Sequence, residues 1–370
     1  MLNLAAAFSA RGHRVDLVVC RAKGELRNEV PNGVKLVELR RGTWTWSRLR
    51  VLAADPTGLV SLLRPPLLRY LPDLVRYLRR ARPQVLLSAL TNLNLVALWA
   101  RRVAGVPTRL AVCEQNTVSH EVQAESNKRR GWRFFLPLIA RTYPRADAII
   151  AVSAGVADDL SIRARIPRER ILTIHNPVVT PDLEEKSRLL CAHPWFASSS
   201  PPVVLAVGRL AAQKDFPTLL RAFARLRRLR PARLVVLGEG EERTRLEALA
   251  HELGIAADVA LPGFVSNPYT YIGRAAVLAL SSVYEGLPSV VIEALACGCP
   301  VVSTDCPSGP AEILDDGAYG ALVPVGDDAA MADAIRATLD APPERNRLRA
   351  RAALFSAESK VEQYLRVLLG

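Results

Sequence analysis

Long apolar runs are scarce in this chain. No stretch reaches the roughly 18 consecutive apolar residues of a membrane-spanning helix, although 50% of the 370 residues are hydrophobic. The opening MLNLAAAFSARGH has no basic segment ahead of its apolar run, so no secretory signal is read there. Paired cysteines are missing too. Cys20, Cys113, Cys191, Cys297, Cys299 and Cys306 form no CxxC and have no histidine at zinc-finger spacing, which excludes a zinc finger. Several sit in strand-like runs such as VVC and AVC and are expected to be reduced, buried thiols. These absences point to a cytoplasmic protein.

Positive charge is plentiful but uneven. Residues 1–195 hold 31 Lys and Arg against 16 Asp and Glu, a balance of +15, whereas the remainder balances at −2. Such asymmetry suits an anionic partner or simply an arginine-rich surface. No recognisable nucleic-acid motif accompanies the charge, so nucleic acid is not expected as a partner.

A length of 370 residues suits two ordinary domains. Short β-rich runs alternate with helical stretches, the pattern of an α/β protein with parallel sheets. Strands are expected at 15–20, 34–39, 84–89, 109–113, 147–152 and 171–174, then at 203–207, 233–237, 258–261, 276–280, 300–303 and 321–323. Runs such as VVLAV imply burial on both sheet faces. The segment 177–202 is rich in Pro and Ser and reads as the join between halves. Two such halves would leave a cleft at the carboxyl ends of their strands, where open α/β sheets bind ligands. Residues 1–10 read as a helix closed near Gly12, with no strand ahead of it. A parallel α/β domain usually opens with a strand, so either the fold is expected to be unusual or the natural beginning to be missing.

Three loops in the second half carry candidate chemistry. In VVLAVGRLAAQKDFPTLLRAF, a buried strand runs into Gly208, with Arg209 and Lys214 at the mouth of the sheet. In RLVVLGEGEERTRLEALA, Gly238 and Gly240 follow a strand, but the third glycine of a dinucleotide fingerprint is replaced by Arg243. NAD binding is therefore rejected, and the glycines are left to admit a ligand or a backbone closely. In YEGLPSVVIEALACGCPVVSTD, Glu285 precedes a helix expected over 289–297 and closed by Gly298, while Glu293 lies more than a turn inside. At about 1.5 Å per residue the two carboxylates would be on the order of 10 Å apart. That is too far for a shared-proton dyad or a retaining glycosidase pair, and it suits two separate diols. Buried among VVIEALACG, Glu293 would be costly without a partner.

These loops, in this order, resemble the donor-binding domain of the retaining glycosyltransferases of family 4, which have the GT-B fold. The matching stretches cover most of 203–325, including GFVSNP with Gly263. The first half is similar more loosely, at ARGHRVDLVV, RPQVLLSALTN, DAIIAVSAGVADDL and HNPV, the last containing Asn176. The resemblance implies two Rossmann-like domains facing a cleft: 1–180 on the acceptor side, 181–202 as linker, 203–350 for the donor, and 351–370 as a helix crossing back to the first domain. It implies that Arg209 and Lys214 neutralise the leaving diphosphate, with Gly208, Gly238 and Gly263 lining the donor site. Glu285, Gly286, Leu287 and Pro288 would meet the donor sugar, and Glu293 the ribose. It implies no metal and no cofactor beyond the substrate, a UDP- or GDP-linked sugar.

The chain departs from the family at Cys113-Glu114-Gln115-Asn116, where Gln115 stands in for a histidine often found in the cleft. Glutamine can hydrogen-bond a sugar but cannot act as a base near neutral pH, so Gln115 and Asn116 are kept as acceptor contacts. The family's opening strand and Gly-rich loop are also absent. The expected partners are a nucleotide sugar and a saccharide or lipid-linked acceptor for cell-surface polysaccharide or glycoconjugate. Lys128, Arg129, Arg130 and Arg133 interleave with Trp132, Phe134 and Phe135, and a second basic stretch spans 64–82 with Tyr70 and Tyr77. Both fit docking on the inner face of an anionic membrane, and equally fit helices packed on the sheet. Rival readings are an epimerase or phosphorylase on the same fold, or a non-catalytic nucleotide-sugar-binding remnant.

Overall fold

The computed structural model describes residues 1–22, 29–42, 50, 66–126, 132, 134–197 and 200–370. Lys128, Arg129, Arg130 and Arg133 fall outside these. The chain forms two compact units, Met1–His175 with Glu358–Gly370, and Asn176–Ala357.

In the first unit, helix α1 (Leu2–Ala10) leads into β1 (Val15–Val19), which pairs in parallel with β2 (Val34–Glu38). A second parallel sheet runs β3 (Val85–Ala89), β4 (Arg109–Glu114), β5 (Ala148–Ala151) and β6 (Ile171–Thr173) in sequential order. Between these strands run α2 (Leu71–Ala81), α3 (Thr91–Ala104), α4 (Val118–Ser126), α5 (Phe135–Thr142) and α6 (Ala154–Ala164). All four residues of β5 are buried, as a strand covered on both faces requires.

The apolar face of α2, with Leu71, Leu74, Val75 and Leu78, is buried, and the helix packs against α3. Its Arg79 donates to the carbonyls of Val103 and Ala104 at the end of α3 (2.9 and 3.2 Å), where a cation complements the helix dipole. Tyr70 is buried, and Tyr77 donates to Asp16 (2.9 Å). Trp132 and Phe135 are buried and stack with centroids 4.3 Å apart. Tyr70, Tyr77, Trp132 and Phe135 of the two basic stretches are thus used within the first unit.

In the second unit, six parallel strands follow the order β12-β11-β10-β7-β8-β9. They are β7 (Val203–Val207), β8 (Arg233–Leu237), β9 (Val259–Gly263), β10 (Val277–Leu280), β11 (Val301–Thr304) and β12 (Ala321–Val323). The order reverses between β7 and β10. All twelve expected strands are present, within two residues at each end. The helices are α7 (Leu183–Arg188), α8 (Phe216–Leu229), α9 (Arg243–Glu252), α10 (Tyr269–Ile272), α11 (Ser289–Cys297), α12 (Pro310–Leu314), α13 (Asp328–Asp340) and α14 (Arg345–Ala353). Val204 and Ala206 on β7 pack in one core with Leu219 and Phe223 of α8 and Met331 and Ile335 of α13. The alternating Val203 and Leu205 are buried as well, on the opposite face.

The described residues of the expected linker 181–202 pack within this unit instead. α7 lies against α10 and α11, Arg274 donates to the Ser187 carbonyl (3.1 Å), and Arg233 sits 4.8 Å over the Trp195 ring. Its aromatic residues, His193, Trp195 and Phe196, pack against Tyr271 and Arg233. The boundary falls at His175 and Asn176. After α14 the last helix, α15 (Ala357–Leu369), joins the first unit, where Arg109 donates twice to the Val367 carbonyl (3.1 and 3.2 Å).

Candidate active site

The reversal of strand order in the second unit opens a gap between the loops that leave β7 and β10, the place where such sheets bind ligands. The β7 loop runs from Gly208 to a left-handed Asp215 (φ 43°), after which α8 begins with Pro217 in its first turn. The β10 loop runs through Ser281 to Pro288, the residue before α11. The two are tied by backbone and side chain: Val283 N–H donates to the Gln213 carbonyl (2.9 Å), Gln213 Nε2 to the Tyr284 carbonyl (2.9 Å), and Ser281 Oγ to the Lys214 carbonyl (2.7 Å).

Lys214 Nζ lies 2.5 Å from Glu285 Oε1, and Ser282 Oγ donates to the same oxygen at 2.6 Å. The Glu285 side chain is 7% exposed and that of Lys214 18%. A carboxylate this deep needs such partners. Glu285 Oε2 has no partner among the described residues and remains free to accept. Lys214 has three N–H donors and gives only one of them to the carboxylate. A third loop, after β11, closes the back: Glu285 N–H donates to the Pro307 carbonyl (2.7 Å) and Ser308 Oγ to the Gly286 carbonyl (3.2 Å). Gly309 (φ 97°) fits there because a Cβ would stand 2.8 Å from the Gly286 oxygen.

The helix expected over 289–297 spans those residues, with Gly298 in the left-handed region closing it. Pro288 is its N-cap, and no side-chain hydrogen bond caps the helix. Its first amides therefore remain unpaired by side chains. Glu293, one turn in, has no hydrogen-bond or ion-pair partner among the described residues, and burial pushes its carboxyl up to about 7.

Two expectations receive a different geometry. Arg209 does not stand open: its Nη2 holds both oxygens of Glu241 (3.0 and 2.9 Å) in an exposed pair. Glu241, Ser282 and Gln213 were missed by sequence reasoning. The only signal was their position, each just past a strand end at the same edge of the sheet. The glycines after β8 admit backbone: a Cβ on Gly238 (φ 136°) would lie 2.0 Å from the Gly208 oxygen, and one on Gly240 2.2 Å from the Leu210 oxygen. The β7 and β8 loops are pressed together there, joined by Leu210 N–H to the Glu239 carbonyl (2.9 Å). Gly263 (φ 93°) ends β9 and accepts from Gly238 N–H (2.8 Å).

Gly208, Lys214, Glu285, Gly286, Leu287 and Pro288 are thus gathered in one place, with Glu293 on the adjoining helix. Gln115 and Asn116 belong to the first unit, where Gln115 Nε2 donates to Cys113 Sγ (3.1 Å). Asn176 opens the second. Among the described residues no helix is long and apolar enough to cross a membrane.

Two unlike Rossmann-like units, the second carrying a cation–carboxylate pair at its switch point, define a doubly wound α/β architecture with a candidate ligand site at that point. Comparison with known proteins agrees. Residues 194–355 match the model for glycosyl transferases group 1, and residues 1–177 that for a glycosyl transferase 4-like domain. The chain is 33% identical over 281 residues to the N-acetylgalactosamine-N,N'-diacetylbacillosaminyl-diphospho-undecaprenol 4-alpha-N-acetylgalactosaminyltransferase of Campylobacter jejuni, covering 75% of this chain and 74% of that protein. It is 36% identical over 172 residues to the lipopolysaccharide core biosynthesis glycosyltransferase LpsE of Rhizobium meliloti, covering 45% of this chain and 49% of that protein. The solved structure of Anabaena HepE in complex with UDP and glucose superposes with a TM-score of 0.76 at 18% identity, over 99% of this chain and 93% of that one. The chain belongs to the GT-B glycosyltransferases.

Proposed function

We propose that this glycosyltransferase is a retaining, metal-independent enzyme of the family 4 type. It moves a sugar from a UDP- or GDP-linked donor onto a saccharide or lipid-linked saccharide in cell-surface polysaccharide or glycoconjugate synthesis. The observation that carries this reading is the Lys214–Glu285–Ser282 cluster, which pairs a cation having spare donors with a carboxylate oxygen free to accept.

Lys214 takes the diphosphate oxygens through its remaining N–H groups, beside the amides that open α11. Arg209 joins them once it leaves Glu241. Glu285 accepts a hydroxyl of the transferred sugar through Oε2, with Gly286, Leu287 and Pro288 shaping that pocket. Glu293 accepts the ribose hydroxyls, which supply the partners its half-buried carboxylate lacks. Gly208 leaves room for the Lys214 stem, and Gly238 and Gly263 let the loops after β7, β8 and β9 close together beneath the phosphates. The diphosphate leaves from the face the acceptor attacks and helps to deprotonate it, so no protein nucleophile is required. Gln115, Asn116 and Asn176 contact the acceptor. The membrane's inner face is the proposed working surface, consistent with the basic first half and with the undecaprenol-linked acceptor in the name of the Campylobacter relative.

The test supplies UDP- and GDP-sugars with a polyprenyl-diphosphate saccharide and with free saccharides, and reads nucleotide release and the product's anomeric coupling by proton NMR. Acceptor-dependent release with the donor's anomeric configuration, unaffected by EDTA, is expected. An inverted product, or full dependence on a divalent ion, would overturn the reading. Isomerised donor with no transfer would favour an epimerase.

A further inference from the structure

The first unit holds a second pair of carboxylates that the proposed reaction does not use. Glu114, the last residue of β4, is 1% exposed. Its Oε1 accepts from Asn94 Nδ2 (3.2 Å) and from the Tyr143 hydroxyl, and its Oε2 lies 2.9 Å from Thr91 Oγ1. The same Thr91 oxygen lies 3.1 Å from Oε2 of Glu121 on α4. A threonine hydroxyl has one hydrogen to give. It can satisfy one ionised carboxylate but not two, so the second contact is a hydrogen bond only when a carboxyl donates to Thr91. Neither carboxyl has a cation as hydrogen-bond or ion-pair partner among the described residues.

We infer that Glu114 and Glu121 hold one proton between them through the Thr91 hydroxyl, and that this shared proton positions the end of β4 that carries Gln115 and Asn116. Glu114 ties β4 to the start of α3, and Glu121 ties α4 to the same point, so the intervening residues 115–117 are fixed at both ends. Loss of the proton places two negative charges on one hydroxyl with no counter-ion and releases α4 from α3. The other titratable groups facing the pair are Cys113 on β4, Tyr143 after α5 and Glu125 on α4; Asp159 of α6 holds Ser119, and Tyr364 of α15 meets Cys113. Burial pushes Glu114 up to about 8 and raises Glu121 too, with Glu125 adding to the latter. The folded chain therefore binds a proton that the unfolded chain has released above the usual carboxylate range, so stability falls as pH rises toward about 8 and then levels.

The positioning role rests on the transfer reading, whereas the shared proton does not. Glu114→Gln mimics the protonated state, because its amide can donate to Thr91 while its oxygen still accepts from Asn94 and Tyr143. Thermal unfolding of wild type and Glu114→Gln is compared from pH 6 to pH 9, along with the acceptor KM. The variant's melting temperature is expected to gain roughly 5 °C on wild type across that range. The wild-type acceptor KM should rise severalfold above about pH 8, with kcat less affected, and the variant's should stay level. A constant gap in melting temperature overturns the shared proton. A widening gap with equal pH dependence of acceptor KM overturns the positioning role. If Glu114→Gln does not fold, Glu121→Gln, which donates to the same hydroxyl, takes its place with the same criteria. If wild type transfers nothing, the failure lies with the transfer reading, and the unfolding comparison still decides the shared proton.

Discussion

Lys214→Ala separates what the cation does for the fold from what it does for the reaction. Removing it strips Glu285 of its counter-ion while the side chain stays 7% exposed, with only Ser282 still donating to it. Breaking a buried pair by deleting one partner costs about 3–5 kcal/mol. Here Ser282 remains and the lysine is 18% exposed, so a value of about 2–3 kcal/mol follows, a fall of roughly 4–12 °C in melting temperature for a unit this size. Loss of a donor aimed at the leaving diphosphate costs about 10²–10³ in kcat. The double variant Lys214→Ala/Glu285→Gln removes the orphaned charge, so most of the lost stability returns while transfer stays lost. Calorimetric melting and nucleotide release measure the two effects independently. Transfer by Lys214→Ala within about tenfold of wild type, or a double variant no more stable than the single, refutes the assignment of Lys214.

Glu241→Gln frees Arg209 from an exposed pair, so stability should change by less than about 1 kcal/mol while donor KM falls severalfold; an unchanged or raised KM would show that Glu241 does not compete for the arginine. Gly240→Ala sets a Cβ 2.2 Å from the Leu210 carbonyl and should lower both melting temperature and donor affinity, whereas normal values would mean the two loops can part freely. For Glu293, a carboxyl raised to about 7 is protonated below that pH and accepts hydroxyls less well, so donor KM should climb as pH falls from 8 to 6 and flatten in Glu293→Gln. An identical pH profile in that variant would remove the ribose role.

Much of the second unit was legible from residue order. VVLAV and its counterparts mark buried strands because few side chains besides β-branched and aliphatic ones fill both faces of a parallel sheet. The spacing of EGLPSVVIE excluded a dyad because a helix start lies between its ends. Partner choice was not legible. Arg209 and Glu241 are 32 residues apart, and only the folding of the β7 loop onto the β8 loop brings them together. Composition misplaced the linker: prolines and serines near 198–202 look like a hinge, but the half-buried rings of His193, Trp195 and Phe196 pack against Tyr271 and Arg233. Glu114 was passed over because its neighbour Gln115 occupies the position where a histidine was expected. Its importance lies in Thr91 and Glu121, which only the tertiary structure sets beside it.

In the proposed function, the switch point of the second unit holds a nucleotide sugar between Lys214 and Glu293. Titration calorimetry of UDP- and GDP-sugars into wild type and into Lys214→Ala/Glu293→Gln tests it directly. One-to-one binding of one nucleotide class to wild type is expected, with at least a hundredfold loss in the double variant, roughly 2.7 kcal/mol. Equal affinity in the two proteins, with the variant folded, would contradict it.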